Sequence, residues 1–144
     1  MIDRRSSPLA PALRSLVTVK VSQINSCPFC VDLNSATLLK RGIAIAKVDA
    51  LQSWKESKLF DDRERVSLEY AEAMTISGRE VDDGLMVRLR EQFDDDAIVE
   101  LTGLIAFQNL SSKFNSALGV PPQGFCQFVA LSSERGEEER IGAD

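Results

Sequence analysis

A chain of 144 residues with 44% hydrophobic and 27% charged side chains has the size and balance of one globular domain with a single core. No apolar run approaches the ~18 residues of a membrane span, and residues 1–14 carry charges and prolines without the apolar stretch of a secretory signal. A net charge of −5 argues against a nucleic-acid partner, so the composition points to a cytoplasmic protein that engages neither nucleic acid nor membrane.

Leu13, Leu16, Val17, Val21 and Ile24 recur at helical spacing and predict a first helix. Val17, Val19 and Val21 also alternate as a strand would, but no other segment offers that strand a partner. Pro28 suits the first position of a second helix, because its missing N–H costs nothing there. Cys27 then falls at the N-cap and Cys30 at the third helical position, and the helix runs to about Arg41, where Gly42 can close it. A short helix is expected over residues 44–54. Asp61 and Glu64 form a capping-box pattern for the next helix, whose face carries Val66, Tyr70, Ala73 and Met74 before Gly78 ends it. Asp82 and Asp83 open a further helix with Leu85, Leu89 and Phe93.

Asp94 to Asp96 start the last long helix. Its Ile98, Leu101, Leu104, Ile105, Phe107, Leu110 and Phe114 are apolar almost all round, as in a buried or interface helix. Pro121 and Pro122 lie beyond its end. The sum is an all-α fold of about six helices. Residues 134–144, rich in Glu and Arg with little to bury, read as a charged, mobile tail, which leaves residues 1–133 as a single domain.

The sequence contains no histidine. That removes Cys-His and Ser-His catalysis and the commonest transition-metal ligand. Three cysteines, an odd number, argue against a structural disulfide framework. Cys126, far from the others in sequence, reads as a small buried apolar residue. Cys27 and Cys30 carry the chemistry. A cysteine at a helix N-terminus faces unpaired N–H groups and the positive end of the dipole, and both stabilise a thiolate. N-cap geometry sets Cys27 over the N–H of Cys30, with the sulfurs close enough for a disulfide, and favours Cys27 as the attacking thiolate. The pair reads as redox-active. Inert buried thiols, or half of a zinc site completed across a symmetric interface, are the alternatives, since one subunit lacks four ligands. A thioredoxin fold would need a βαβ pattern, and none is present.

Residues 21–33, VSQINSCPFCVDL, resemble the active-site helix of the alkylhydroperoxidase D-like branch of the carboxymuconolactone decarboxylase superfamily. LQSWKES at 51–57, Phe60, DRER at 62–65 and AEA at 71–73 continue the likeness in order. Leu101-Thr102, Asn109, Asn115 and VPP at 120–122 complete it. The resemblance implies an all-helical subunit that assembles into hexamers, with trimers next, and it implies no cofactor or metal. It also implies a thiol peroxidase or disulfide reductase whose cysteine pair reduces a hydroperoxide or disulfide and is re-reduced by a thiol partner protein.

Two departures bear on that activity. The family's proton relay uses a Glu twelve residues before the first cysteine and a His four after the second; here those positions hold Ser15 and Asn34. Asn34 shares a helix face with Cys30 but cannot become a cation, and Ser15 cannot hold a negative charge. Acid–base assistance contributes roughly 10²–10⁴ in rate, so the resemblance with these changes implies a weak alkylhydroperoxidase or disulfide reductase. A catalytically degenerate member serving as a binding or scaffold module is the alternative. Restoring Glu and His together is expected to help more than His alone. Glu72 is the substitute base to consider, against a role in a salt bridge. Asp32 reads as a solvated helix residue and Trp54 as core.

Overall fold

The computed structural model describes residues 7–141. Among them are seven α-helices and no strand: α1 (Pro11–Ile24), α2 (Pro28–Lys40), α3 (Ile45–Ala50), α4 (Asp62–Thr75), α5 (Asp83–Gln92), α6 (Asp95–Ala117) and α7 (Phe125–Ile141). The helix starts follow the capping chemistry. Asp61 accepts the N–H of Glu64 while the Glu64 carboxylate accepts that of Asp61, closing the box at α4. Asp82 and Asp94 cap α5 and α6 by accepting the N–H groups of Leu85 and Ala97. Gly42, at φ +85°, ends α2 in the left-handed conformation that glycine adopts without strain. The short helix expected over 44–54 divides into α3 and a 3-10 turn at Leu51–Ser53.

The alternating valines of α1 have a physical explanation in its position. Leu13, Val17 and Val21 face one apolar cluster with Val66 and Tyr70 of α4, Leu85 and Leu89 of α5, and Leu101 and Ile105 of α6. Leu16 and Val19 face a second cluster with Leu38 of α2, Leu51, Trp54, Phe60 and Leu68 of α4. A helix buried on both sides loses its polar face, and the strand-like pattern is a by-product of that burial. Trp54 is core, as the sequence suggests.

The structure adds two features to the expected frame. A seventh helix, α7, follows the proline pair and continues to Ile141, so the helical structure covers most of the segment read as a tail; residues 142–144 lie outside the described residues. It forms because Val129 buries against the body while a carboxylate of α2 caps its first turn. The second concerns α6. Its inward stripe holds polar Gln108 and Ser112, both buried, while Val99, Phe107, Leu110 and Phe114 point outward with more than 60% of each exposed.

Candidate functional site

Cys27 and Cys30 are joined as a disulfide with 5.3 Å between their Cα atoms. Cys27 is the N-cap of α2, and its Sγ accepts the backbone N–H of Cys30 at 3.3 Å. The sequence predicts this arrangement, since Pro28 pre-sets the first helical φ and leaves Cys27 in extended backbone ahead of it. Ser26, just before the pair, sits at φ +50°. A left-handed non-glycine residue costs about 1 kcal/mol, so the reversal from α1 into α2 stores local strain beside the sulfurs. Both cysteines are almost fully buried, at 1% and 2% exposure.

Cys30 and Asn34 lie one turn apart on the α2 face that meets α1 and α6. Asn34 donates from Nδ2 to Ser22 Oγ at 3.1 Å and to Gln108 Oε1 at 3.3 Å, and Gln108 donates in turn to Ser112 Oγ at 2.9 Å. Beside this chain, Asn25 donates to Asn109, which donates to Thr75. Asn115 of α6 donates from Nδ2 toward Cys30 Sγ at 3.8 Å. The cysteines therefore border a seam of neutral amides and hydroxyls. Gln23 Oε1, one turn before Cys27, is the buried side-chain oxygen of the described residues left without a donor.

Ser15 is buried but engaged elsewhere. It accepts a hydrogen bond from Arg41 Nη1, which also reaches the Pro11 carbonyl. The links from Asn34 toward Ser15 run through backbone carbonyls: Ser22 Oγ donates to Thr18 O and Thr18 Oγ1 to Ser15 O. No side-chain bond joins the two altered relay positions.

Glu72 is a buried ion-pair centre. It meets Lys20 at 3.6 Å, Lys55 at 3.2 Å and Arg79 at 3.0 Å, and accepts the Trp54 indole N–H at 2.9 Å. Burial favours its neutral form, but Trp54, Lys55 and Lys20 outweigh that and hold the carboxyl below its ordinary range. Burial depresses the Lys20 ammonium more than Glu72 restores it. A carboxylate held low by cations is a poor base, and no hydrogen bond among the described residues links Glu72 to the cysteines.

Asp32 departs from its reading as a solvated residue. Its carboxylate accepts the N–H groups of Gln123 at 2.9 Å, Phe125 at 3.1 Å and Cys126 at 2.8 Å, and so caps α7 from α2. Partial burial opposes its charge, but the N–H groups of Cys126, Phe125, Gln123 and Gly124 together hold it below the usual carboxylate range. Cys126 is half-buried, where the sequence suggested full burial, because it stands on the first turn of α7 at the edge of a cavity of 470 Å³ that Asp32, Leu39 and Ile45 also line. Burial pushes its thiol up, with Asp32 and Asp49 adding to the shift. Among the described residues no cluster of three or more His, Cys, Asp or Glu side chains is disposed to hold a metal ion, and no helix is long and apolar enough to cross a membrane.

The model of the carboxymuconolactone decarboxylase family matches residues 2–73, the segment that contains both cysteines. The chain belongs to the carboxymuconolactone decarboxylase family. Within that family it is 46% identical to the uncharacterised protein YnjA of Escherichia coli (strain K12) over 126 residues, 88% of this chain and 69% of that protein. Its fold superposes on a protein of unknown function from Agrobacterium tumefaciens, described as a candidate antioxidant defence protein AhpD. There the TM-score is 0.79 with 27% identity, over 83% of this chain and 82% of that one. An uncharacterised peroxidase-related protein from Silicibacter sp. TM1040 gives a TM-score of 0.75 with 26% identity, over 82% of this chain and 62% of that one.

These likenesses place the chain in the AhpD-like branch of the carboxymuconolactone decarboxylase superfamily. For this member, sequence reasoning located the cysteine pair but missed the polar seam. Its signal was present: Gln108, Ser112 and Asn115 stand at i, i+4 and i+7, which is one face of α6. Arg41 as the partner of Ser15 had no such signal.

Proposed function

We propose that the protein is a thiol-dependent redox protein, a weak alkylhydroperoxidase or disulfide reductase. The observation that carries this is the Cys27–Cys30 disulfide at the N-terminus of α2, with Cys27 as the helix cap. The AhpD-like relatives are compatible with a redox role. In the proposed cycle one thiolate attacks the distal peroxide oxygen. The O–O bond breaks, the alkoxide takes a proton and leaves as an alcohol, and the sulfur becomes a sulfenic acid. The second thiol displaces water to form the disulfide, and two thiols of a reductant protein restore the pair while becoming a disulfide themselves. A reducing cytoplasmic compartment suits that cycle.

The test is a thiol count on reduced protein before and after excess cumene hydroperoxide. Two of the three thiols are expected to vanish per chain, with peptide mapping finding Cys27 bonded to Cys30 and Cys126 free. Three thiols surviving would sink the redox reading. It would favour the scaffold alternative, for which Ser15 and Asn34 at the relay positions speak.

The outward apolar residues of α6, with Phe128 and Leu131 of α7 also exposed, support assembly into a homo-oligomer, a hexamer first and a trimer next. Light scattering at micromolar concentration is expected to give a multiple of the subunit mass, and Phe107→Glu with Phe114→Glu to reduce it to the monomer. A monomeric wild type would end this proposal.

A further inference from the structure

Each sulfur of the pair has one N–H donor, and the two donors differ in kind. For Cys27 it is the backbone of Cys30, fixed by the helix. For Cys30 it is the side chain of Asn115, which reaches across from α6. The orientation of that amide is settled by its bonds to Ser111, whose Oγ lies 3.4 Å from Nδ2. Asn115 Nδ2 also donates to the Ser111 carbonyl at 2.9 Å. A flipped amide would turn Oδ1 onto a carbonyl oxygen, where neither atom can donate. Nitrogen therefore faces both Ser111 and Cys30.

We propose that Asn115 is a positioning residue that stabilises negative charge on Cys30. The inference rests on the redox reading of the pair for its meaning in the cycle. A thiolate at 2% exposure has almost no water to solvate it, so a single fixed N–H carries unusual weight. The seam around it is neutral, with Asn34 where the family has His, so no imidazolium competes for the role. When a reductant thiolate attacks Cys27 Sγ, a mixed disulfide forms and the Cys27–Cys30 bond breaks. The electron pair departs on Cys30, toward the Asn115 amide. A lower leaving-group pKa speeds that step. Asn115 thus assigns the two sulfurs different parts: Cys27 is the atom attacked and Cys30 the atom that leaves.

The experiment follows the thiolate ultraviolet absorbance of Cys30 against pH. It uses the Cys27→Ser, Cys126→Ala protein, where one thiol titrates and coupling between thiols is absent. Adding Asn115→Leu is expected to move the titration up by about one pH unit, the weight of one hydrogen bond to a charged group. Adding Asn115→Asp, nearly isosteric, is expected to move it up further, because a carboxylate repels the thiolate. In the otherwise native protein, Asn115→Leu is expected to slow reduction of the disulfide by dithiothreitol about tenfold at pH 7. A Cys30 titration unmoved in both variants, or lowered by Asn115→Asp, would overturn the proposal. The titration uses neither peroxide nor disulfide, so it stands or falls separately from the thiol count that tests the redox reading.

Discussion

Replacing Glu72 by glutamine is expected to destabilise the fold by about 3–5 kcal/mol, the cost of leaving one member of a buried ion pair without its partner. A domain of this size holds only about 5–15 kcal/mol in total, so the melting temperature should fall by about 10 °C. The stranded group is Lys20. Lys20 is 6% exposed, and apart from Glu72 its ammonium has, among the described residues, only the Leu51 carbonyl, at 3.4 Å. Lys55 and Arg79, the other cations on Glu72, are about half exposed and recover solvation when released. Lys20→Met should therefore cost much less than Glu72→Gln, because it removes the buried charge and leaves the carboxylate with Lys55, Arg79 and Trp54. The double change should recover most of the Glu72→Gln loss, a coupling that a double-mutant cycle measures in urea unfolding. A double change that costs the sum of the two single losses would show that the charges were not acting as a pair.

The pH dependence has a definite sign. Glu72 is held below its ordinary value of 4.5, so the stability it contributes is present above that pH and is lost as pH falls through its lower folded value. The Glu72→Gln variant lacks that acid-sensitive part, and its deficit against wild type should narrow as pH falls below 4.5. Lys20 behaves in the opposite range. Burial lowers it from 10.5, so in the window below 10.5 the unfolded chain binds more protons and stability rises with pH. In the variant Lys20 loses the attraction of Glu72 and is lowered further. The deficit should therefore narrow at alkaline pH as well, leaving its maximum near neutrality.

Most of the helical frame is legible in the sequence because it is written in local chemistry. The Asp61–Glu64 box, the Asp82 and Asp94 caps and the Pro28–Cys27 start each need only a few neighbouring residues, and each stands where the spacing puts it. What the sequence conceals depends on distant partners. α7 looks like a polar tail because one of its main anchors is Asp32, ninety-four residues before Cys126. The inward face of α6 looks apolar throughout, and its first half is, with Ala97, Ile98, Leu101 and Ile105 buried, but farther along the buried positions are Gln108 and Ser112. The same holds at the site. The spacing of Cys27 and Cys30 predicts their geometry, since both belong to one helix turn. Asn115 lies eighty-five residues from Cys30, and Arg41 twenty-six from Ser15, so only the fold brings each pair together.

Asn34→His is expected to raise turnover with an organic hydroperoxide by about a hundredfold, and Ser15→Glu to add little to it. The sequence alone suggests that the double change clearly exceeds Asn34→His, with the two residues acting as one relay. The structure changes the expectation through Arg41. An imidazole at position 34 would stand one turn above Cys30 and find Ser22 Oγ and Gln108 Oε1 within reach, the groups that now accept from Asn34. Gln108 can orient a ring N–H much as a carboxylate does, though without its charge. That supplies timed proton delivery to the leaving oxygen, worth roughly 10²–10⁴. A carboxylate at position 15 would instead meet the Arg41 guanidinium that now bonds Ser15. An arginine beside a carboxylate lowers its pKa and weakens it as a base, so the new Glu should stay paired. Exchanging Arg41→Gln in the Ser15→Glu, Asn34→His background is expected to release it and give a further gain. The measurement is steady-state turnover of cumene hydroperoxide with a dithiol reductant for wild type and the three variants. The test also fixes the protonation step, because the gain from Asn34→His should appear in kcat and fall away above the imidazole pKa, where no imidazolium remains to donate. If wild type already matches Asn34→His, the missing imidazole was never limiting. If adding Ser15→Glu to Asn34→His accelerates turnover strongly with Arg41 in place, Arg41 does not hold that carboxylate and the pairing inferred at Ser15 is wrong.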